Sequence, residues 1–388
     1  MRTLAPILAA VTLVVACTSS DETGSAGTTT EPAISTSAPA EAFVYPGEEW
    51  ERADAAEMGF DPAALEAVAA TAEELDSSCF VVTRKGKVVG EWYWDGTEPT
   101  TTSEVFSVTK SITSTLVGLA QADGALAIED PASDYIEEWV GTDSEVVTIE
   151  HLLSNDSGRE WSFGLDYVEL PRAADRTQFA IDLGQQYPPG EAWSYNNAAI
   201  QTLDRVISVA TGEVTADYAR ERLFEPIGMD ATEMAPGNAD GTATSAFFGL
   251  QSTCEDLARF GYLFLRDGTW EGEEVVPAAW VDEATGAPSQ EHNAAYGYLW
   301  WLNTEGRILG PLQAVSPTAE PEEVVGQIAP GAPEDMFTAQ GLGGQIVMVD
   351  PGSETVIVRL GSGPAGDPQS GFRAPDAARV LTEALVDP

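Results

Sequence analysis

Hydrophobic positions fall along this chain in two rhythms. Phe60 to Glu74 carries apolar residues at helical spacing, with Pro62 near its start, where a missing N–H costs nothing. Cys79-Phe-Val-Val-Thr83 and Lys87-Val-Val-Gly-Glu-Trp-Tyr-Trp94 are β-rich runs parted by Arg84-Lys85-Gly86, which predicts a hairpin. Phe106 to Leu119 is small and apolar and predicts a buried helix. From about 124 to 242 the strand patterns fade. Helices are expected there over Thr148 to Leu153, Thr177 to Leu183, Ala198 to Thr211 and Val214 to Leu223, and beyond it over Glu255 to Arg266 and Pro277 to Ala284. Strands return at Ala295 to Leu302, Asp335 to Gln340, Gln345 to Val349 and Thr355 to Gly361, and a last helix runs from about Asp376 to Leu385. Strands near both ends with helices between them predict an α/β fold whose sheet is completed by both termini, with an all-helical insertion at about 124–242.

The first residues follow a different logic. Arg2 is a short basic head, and Leu4 to Ala16 is an apolar stretch too short for an ordinary membrane span. It ends Leu13-Val-Val-Ala-Cys17, which resembles a bacterial lipoprotein signal. That resemblance implies removal of residues 1–16, a lipid on Cys17 and a protein held on the outer face of a membrane in the cell envelope. Residues 17–45 have little to bury and read as a tether, leaving 46–388 as one folded domain. Export leaves Cys79 and Cys254 as the remaining thiols in an oxidising setting; a disulfide between them is the expectation, two buried free cysteines the alternative.

Composition narrows the partners. The 388 residues carry a formal charge of -45, with 63 acidic side chains against 18 basic ones, and 43% of the chain is hydrophobic. Such a chain has a substantial core. Its field repels nucleic acid and anionic membrane surfaces, so the lipid is the one expected membrane contact.

Chemistry concentrates in three places. Ser107-Val-Thr-Lys110 puts a hydroxyl and an amine on one face of the buried helix, at i and i+3. A serine needs a neighbouring base, and a lysine serves when burial keeps it neutral. The chain has only three lysines, Lys85, Lys87 and Lys110, and the first two sit in the hairpin turn. Tyr195-Asn-Asn197 follows the turn-rich Pro188-Pro-Gly-Glu191 and supplies a phenol for proton transfer and an amide for orientation. Helix capping by Asn196 or Asn197 is the plainer alternative. Phe337-Thr-Ala-Gln-Gly341-Leu-Gly-Gly-Gln345 is a strand entering a glycine turn; it suits either a hairpin or a close backbone approach to a ligand.

The order of these motifs resembles the serine β-lactamase-like hydrolases. These include class C β-lactamases, D-alanyl-D-alanine peptidases, family VIII carboxylesterases and 6-aminohexanoate-dimer hydrolases. Ile149-Glu-His-Leu-Leu-Ser-Asn-Asp-Ser-Gly158, Ser252-Thr-Cys-Glu-Asp-Leu-Ala-Arg-Phe260 and Tyr296-Gly-Tyr-Leu-Trp-Trp301 look like the same superfamily, and the likeness spans about Glu49 to the end of the chain. It implies an antiparallel sheet flanked by helices, as in transpeptidases, and a serine hydrolase that works through an acyl-enzyme without a cofactor. Ser107 is then the acylated residue, and Lys110 and Tyr195 share the proton transfer, with the base left open between them. Asn197 matches the motif asparagine, Gly341 the glycine closing the third motif, and the N–H of Leu342 the second oxyanion donor beside that of Ser107.

One position departs. Where β-lactam and peptidoglycan enzymes begin the third motif with a cation, this chain has Ala339. Small neutral esters or amides are therefore the expected substrates, and the glycine-rich turn and aromatic stretch look most like the dimer-hydrolase branch. A β-lactamase or D-alanyl-D-alanine carboxypeptidase is the alternative on the same fold. A non-catalytic surface-binding lipoprotein is the alternative of another class.

Other chemistries lack parts. The two histidines, His151 and His292, accompany no Gly-x-Ser-x-Gly elbow, no metal-ligand spacing is present, and no nucleotide fingerprint occurs. Tyr296, Tyr298 and Trp300 alternate and are expected on one strand face, where they would wall a pocket or pack the core; Trp161 is a further candidate pocket aromatic.

Overall fold

The computed structural model describes residues 43–362 and 371–387. The expected signal segment, Cys17 and most of the expected tether lie outside them.

Helix α1 (Pro62–Glu74) begins where Asp61 accepts hydrogen bonds from the N–H groups of Ala63 and Ala64, with Pro62 at the first helical position. Then come strand β1 (Ser77–Arg84), strand β2 (Lys87–Tyr93) and helix α2 (Val108–Ala122). A long, mostly helical stretch contains helix α3 (Asn197–Gln201) and leads to helix α4 (Cys254–Leu265). Strands β3 (Trp301–Leu302), β4 (Phe337–Gly341), β5 (Gln345–Asp350) and β6 (Thr355–Gly361) follow, and helix α5 (Ala374–Arg379) with a π-helical turn at Val380–Ala384 ends the domain.

The sheet has six strands in the order β2-β1-β6-β5-β4-β3, antiparallel throughout. Both termini build it, as the sequence pattern predicts. Successive side chains alternate between two cores. Phe80, Val82, Ile346, Met348 and Ile357 meet α1 and α5 on one face. Val81, Val347, Val349, Val356 and Val358 meet α2 and α4 on the other. On α4, a methyl group at Gly261 would lie 2.5 Å from Val356 Cγ1, so this glycine lets helix and sheet close together.

Between residues 124 and 242 the one regular strand is the short Trp193–Ser194, so the stretch is helical as expected. Two elements differ from the pattern. The helix expected over Ala198 to Thr211 is broken at Thr202, whose hydroxyl donates to Ala199 O at 2.6 Å, and resumes at Leu203–Thr211. The strand expected over Ala295 to Leu302 is reduced to Trp301–Leu302. Leu299 takes a positive φ of 61°, and Gly297 N donates to Trp300 O at 3.0 Å, so the chain turns back on itself. The packed domain also starts earlier than composition suggests. Val44 O accepts from the Tyr262 hydroxyl at 2.8 Å, and Tyr45 packs edge-on against Trp270.

Cys79 on β1 and Cys254 at the start of α4 form a disulfide across 175 residues of sequence. Among the described residues no helix is long and apolar enough to cross a membrane. A bridge closing so long a loop restricts the unfolded chain. Cys79→Ser or reduction should cost about 2–5 kcal/mol of stability. The check is a lower urea midpoint, with a slope that rises as the opened unfolded chain exposes more surface, and an unmoved midpoint would remove the bridge from the stability account.

Candidate active site

Ser107 stands at a forced corner. Val105 N donates to Leu250 O at 3.0 Å, which fixes the incoming chain. Phe106 then adopts φ 46°, an uncommon region for a bulky residue, and Ser107 becomes the residue that caps α2. Thr109 locks the corner: its hydroxyl donates to Phe106 O at 2.6 Å and accepts from Leu250 N at 3.1 Å.

Lys110 lies one helical turn on. Its Nζ donates to Ser107 Oγ at 2.7 Å and to Phe247 O at 2.8 Å. It also sits 4.8 Å from the ring centre of Tyr195 and 5.6 Å from that of Phe247. Only 1% of the residue is exposed. Burial pushes the ammonium down to about 7, against the Asp166 carboxylate, which favours the charged form. Once the proton leaves, the lone pair faces the serine hydroxyl.

Tyr195 is placed by the segment around Asn155. Asn155 takes a left-handed φ of 61°; its carbonyl accepts from Ser194 N at 3.0 Å and its side chain from Asn196 N at 3.2 Å. Asn196 caps α3 by accepting from Ala199 N at 2.8 Å. The Tyr195 ring stacks on Trp301 at 5.7 Å and meets Tyr296 edge-on at 6.0 Å. Burial drives the phenol well above its ordinary range, and the adjacent Ser107 hydroxyl opposes that rise. The Tyr195 phenol therefore keeps its proton at neutral pH. Asn197 gives its Nδ2 to Asp166 Oδ2 at 2.7 Å.

Strand β4 closes the other side. A methyl group at Gly341 would lie 2.2 Å from Val105 O, so β4 can run this close to the serine corner only with glycine there. Gly343 and Gly344 both have φ near 80° and turn the chain into β5. Buried Arg359 on β6 holds this turn, donating to Gly343 O at 2.6 Å and to Ser77 Oγ at 2.7 Å. Leu342 stays 52% exposed, while Ala339 is buried. A recess of about 480 Å³ opens beside the turn, walled by Phe106, Leu342, Gln345 and Glu104 among others.

The model of the family described as Beta-lactamase matches residues 65–382 of the chain. The chain belongs to the beta-lactamase family. A 6-aminohexanoate-dimer hydrolase of Paenarthrobacter ureafaciens is 24% identical over 330 residues, covering 76% of this chain and 75% of that one. Penicillin-binding protein 4 of Amycolatopsis lactamdurans is 35% identical over 149 residues, 36% of this chain and 38% of its own length. A crystal structure of a Bacteroides dorei protein, provisionally assigned as a beta-lactamase, superposes with a TM-score of 0.65 at 19% identity. It covers 84% of this chain and 97% of that one, a likeness that shows the fold.

Within this beta-lactamase-family fold, Ser107, Lys110 and Tyr195 converge, Asn197, just past Tyr195 in sequence, is held on Asp166, and Gly341 and Leu342 border the serine corner. The candidate pocket aromatics do not stay together, because the turn at Leu299 breaks their alternation. Tyr296 touches Tyr195. Tyr298 leans on Trp280 and donates to Glu150 Oε1 at 2.9 Å. Trp300 is core, packed among Phe260, Phe264 and Phe337. Trp161 is half-buried; its backbone N–H donates to Gln186 Oε1 at 3.3 Å, and its indole N–H has no partner among the described residues. His151 caps its own helix with Thr148, and His292 contacts Gly190 O at 3.0 Å. Asp166, Phe247, Trp301 and Arg359 are the site residues that sequence reasoning missed. Trp301 adjoins the alternating aromatics; the other three carry no motif.

The close approach at Gly341 gives a direct test. Gly341→Ala forces the new methyl group against a backbone carbonyl, so β4 or the serine corner must shift. Turnover of an activated ester should fall at least about 10-fold with the far-ultraviolet dichroism intact. Full activity would show that this strand edge does not govern the site.

Proposed function

We propose that the protein is a serine hydrolase that cleaves small neutral esters, and short amides, through an acyl-enzyme on Ser107. The observation that carries this reading is the fully buried Lys110 amine, 2.7 Å from Ser107 Oγ and driven toward its neutral form by burial. In the proposed reaction Lys110, alone or with Tyr195, takes the serine proton as Oγ attacks the substrate carbonyl. The oxyanion forms between the N–H groups of Ser107 and Leu342. The Tyr195 hydroxyl hands a proton to the leaving oxygen or nitrogen as the carbonyl bond to it breaks. Water then repeats the sequence on the acyl-enzyme and releases the acid.

Ala339 supports the neutral substrate class: it presents no cation at the start of the third motif, where a charge-assisted hydrogen bond would contribute roughly 1.5–3 kcal/mol. The relative named for 6-aminohexanoate-dimer hydrolysis supports amides of this kind. Relatives named as penicillin-binding proteins and beta-lactamases favour the second reading, β-lactam or D-alanyl-D-alanine chemistry. The Cys79–Cys254 bridge supports an exported location.

The nucleophile is tested first. A fluorophosphonate should label Ser107, and Ser107→Ala should lower ester turnover at least ~10²-fold with the fold intact. Labelling elsewhere, or an unchanged rate, would overturn the assignment. The pH profile follows from Lys110: with its amine down to about 7, kcat/KM should be high above that pH and fall as the lysine takes up its proton below it. A profile flat to pH 5 would exclude Lys110 from the proton transfer.

Substrate class is tested with a panel. Short-chain esters should turn over readily, and penicillins and cephalosporins weakly or not at all. Ala339→Lys should raise cephalosporin turnover relative to esters. Efficient penicillin hydrolysis by the unaltered protein would favour the second reading.

A further inference from the structure

One buried carboxylate touches this machinery and has no place in the motifs. Asp166 lies on a wide π-helical turn, Leu165–Glu169, and is 2% exposed. Its Oδ2 accepts from Asn197 N at 3.1 Å and from Asn197 Nδ2 at 2.7 Å, and its Oδ1 from Ala198 N at 2.9 Å. Asn197 is the second residue after Tyr195, so these bonds clamp the segment that aims the phenol.

Capping a single N–H does not require an acid. Helix α3 already has a neutral cap, Asn196, on Ala199 N. A neutral amide serves one helix N–H nearly as well as a carboxylate, but it has a single acceptor oxygen, and both oxygens of Asp166 are engaged by Asn197 and Ala198. Among the described residues Asp166 has no cationic partner within ion-pair distance. The cation it acts on is Lys110, and Asp166 is in turn the carboxylate whose field opposes the loss of charge on that amine.

We propose that Asp166 is a positioning residue for acyl transfer, tethering the Tyr195–Asn197 segment and keeping a buried carboxylate within electrostatic reach of the Lys110 amine. The inference rests on the reading of Lys110 as part of the proton-transfer network. The groups facing that amine are Ser107 Oγ, the Phe247 carbonyl, the Tyr195 and Phe247 rings and the Asp166 charge. Those facing Asp166 are Asn197, the Ala198 N–H and Lys110, with the Tyr167 and Tyr195 hydroxyls within reach of its field. Burial raises the Asp166 carboxyl to about 6, so it still carries its charge where Lys110 titrates near 7, and a negative charge there favours protonated lysine. Without it, Lys110 releases its proton at lower pH.

Asp166→Asn keeps the size and removes the charge. Its Nδ2 would also face the Asn197 donors. The acid limb of kcat/KM should move to lower pH by about one unit, the lower end of the effect of a close opposite charge. At the same time kcat at the plateau should fall at least about 10-fold as Tyr195 loses its tether. Asp166→Glu, which keeps the charge, should hold the limb near its original pH. A folded Asp166→Asn protein with an unmoved acid limb would overturn the inference.

A second measurement does not depend on that variant folding. Coupling is reciprocal, so Lys110→Ala should raise the Asp166 carboxyl by the same amount. Difference infrared spectroscopy of the carboxyl band during a pH titration reads it, with Lys110→Ala/Asp166→Asn assigning the band. An unshifted Asp166 band in Lys110→Ala would also overturn the proposal. Fluorophosphonate labelling separates the levels. If Ser107 of the unaltered chain does not label, the hydrolase reading fails; if Asp166→Asn labels and its acid limb has not moved, this inference alone fails.

Discussion

Burying the amine of Lys110 is the constraint around which this site is arranged. A lysine is almost never fully buried, because an unhydrated ammonium is costly unless it is paired or neutral. Here the chamber gives two hydrogen-bond acceptors, Ser107 Oγ and Phe247 O, and two aromatic faces. It gives no carboxylate in direct contact, so the amine is held near the point of losing its proton. An ion pair at the same place would fix the charge and leave the serine without a base. The other two lysines, in the turn and strand of the first hairpin, meet no such demand.

Much of the surrounding structure keeps that chamber dry and in register. Helix α2 is buried through most of its length although it is rich in hydroxyls, because most of those hydroxyls are used internally, Ser114 excepted. Ser111 donates to Leu299 O at 2.8 Å, Thr113 to Ala246 O at 2.8 Å and Thr115 to Ser111 O at 2.8 Å. The first two bonds tie the helix to the turn before β3 and to the segment that supplies the Phe247 carbonyl. At the far end of the helix, a methyl group at Gly118 would lie 2.3 Å from the Trp280 ring, so the small residues let neighbours close in. A charged or bulky α2 would open the chamber to water and restore the ordinary basicity of Lys110.

The parts of this arrangement that the sequence discloses are those whose physics is local. Ser107 and Lys110 are one helical turn apart, the first hairpin has its own turn, and β5 and β6 alternate side chains between two cores. Their prediction needs no knowledge of distant residues. The disulfide is legible only as an expectation, since 175 residues part its cysteines and only the fold brings them together. The aromatic run at 296–301 misleads because alternation predicts a flat strand. The carbonyl of Ala284, 2.2 Å from where a methyl group at Gly297 would lie, shows how tightly the chain is folded back there. Asp166 is illegible for a related reason. It is one of 63 acidic residues, and what separates it from the rest is 31 residues away, at Asn197.

That contrast bears on the charge of -45, the most conspicuous number in the composition. Exposed carboxylates act through water and salt, and their fields fade over a Debye length of roughly 8 Å at physiological ionic strength. Summed over the surface they bias which solutes approach, and they hardly distinguish one buried proton site from another. A buried carboxylate such as Asp166 acts through a medium of lower polarisability, where the same charge is felt more strongly. The acidity visible in composition and the buried acidity near Lys110 are therefore separate matters. Exchanging exposed aspartates and glutamates is expected to have little effect on the proton held by Lys110; of the buried acids, Asp166 is the one whose field reaches that amine.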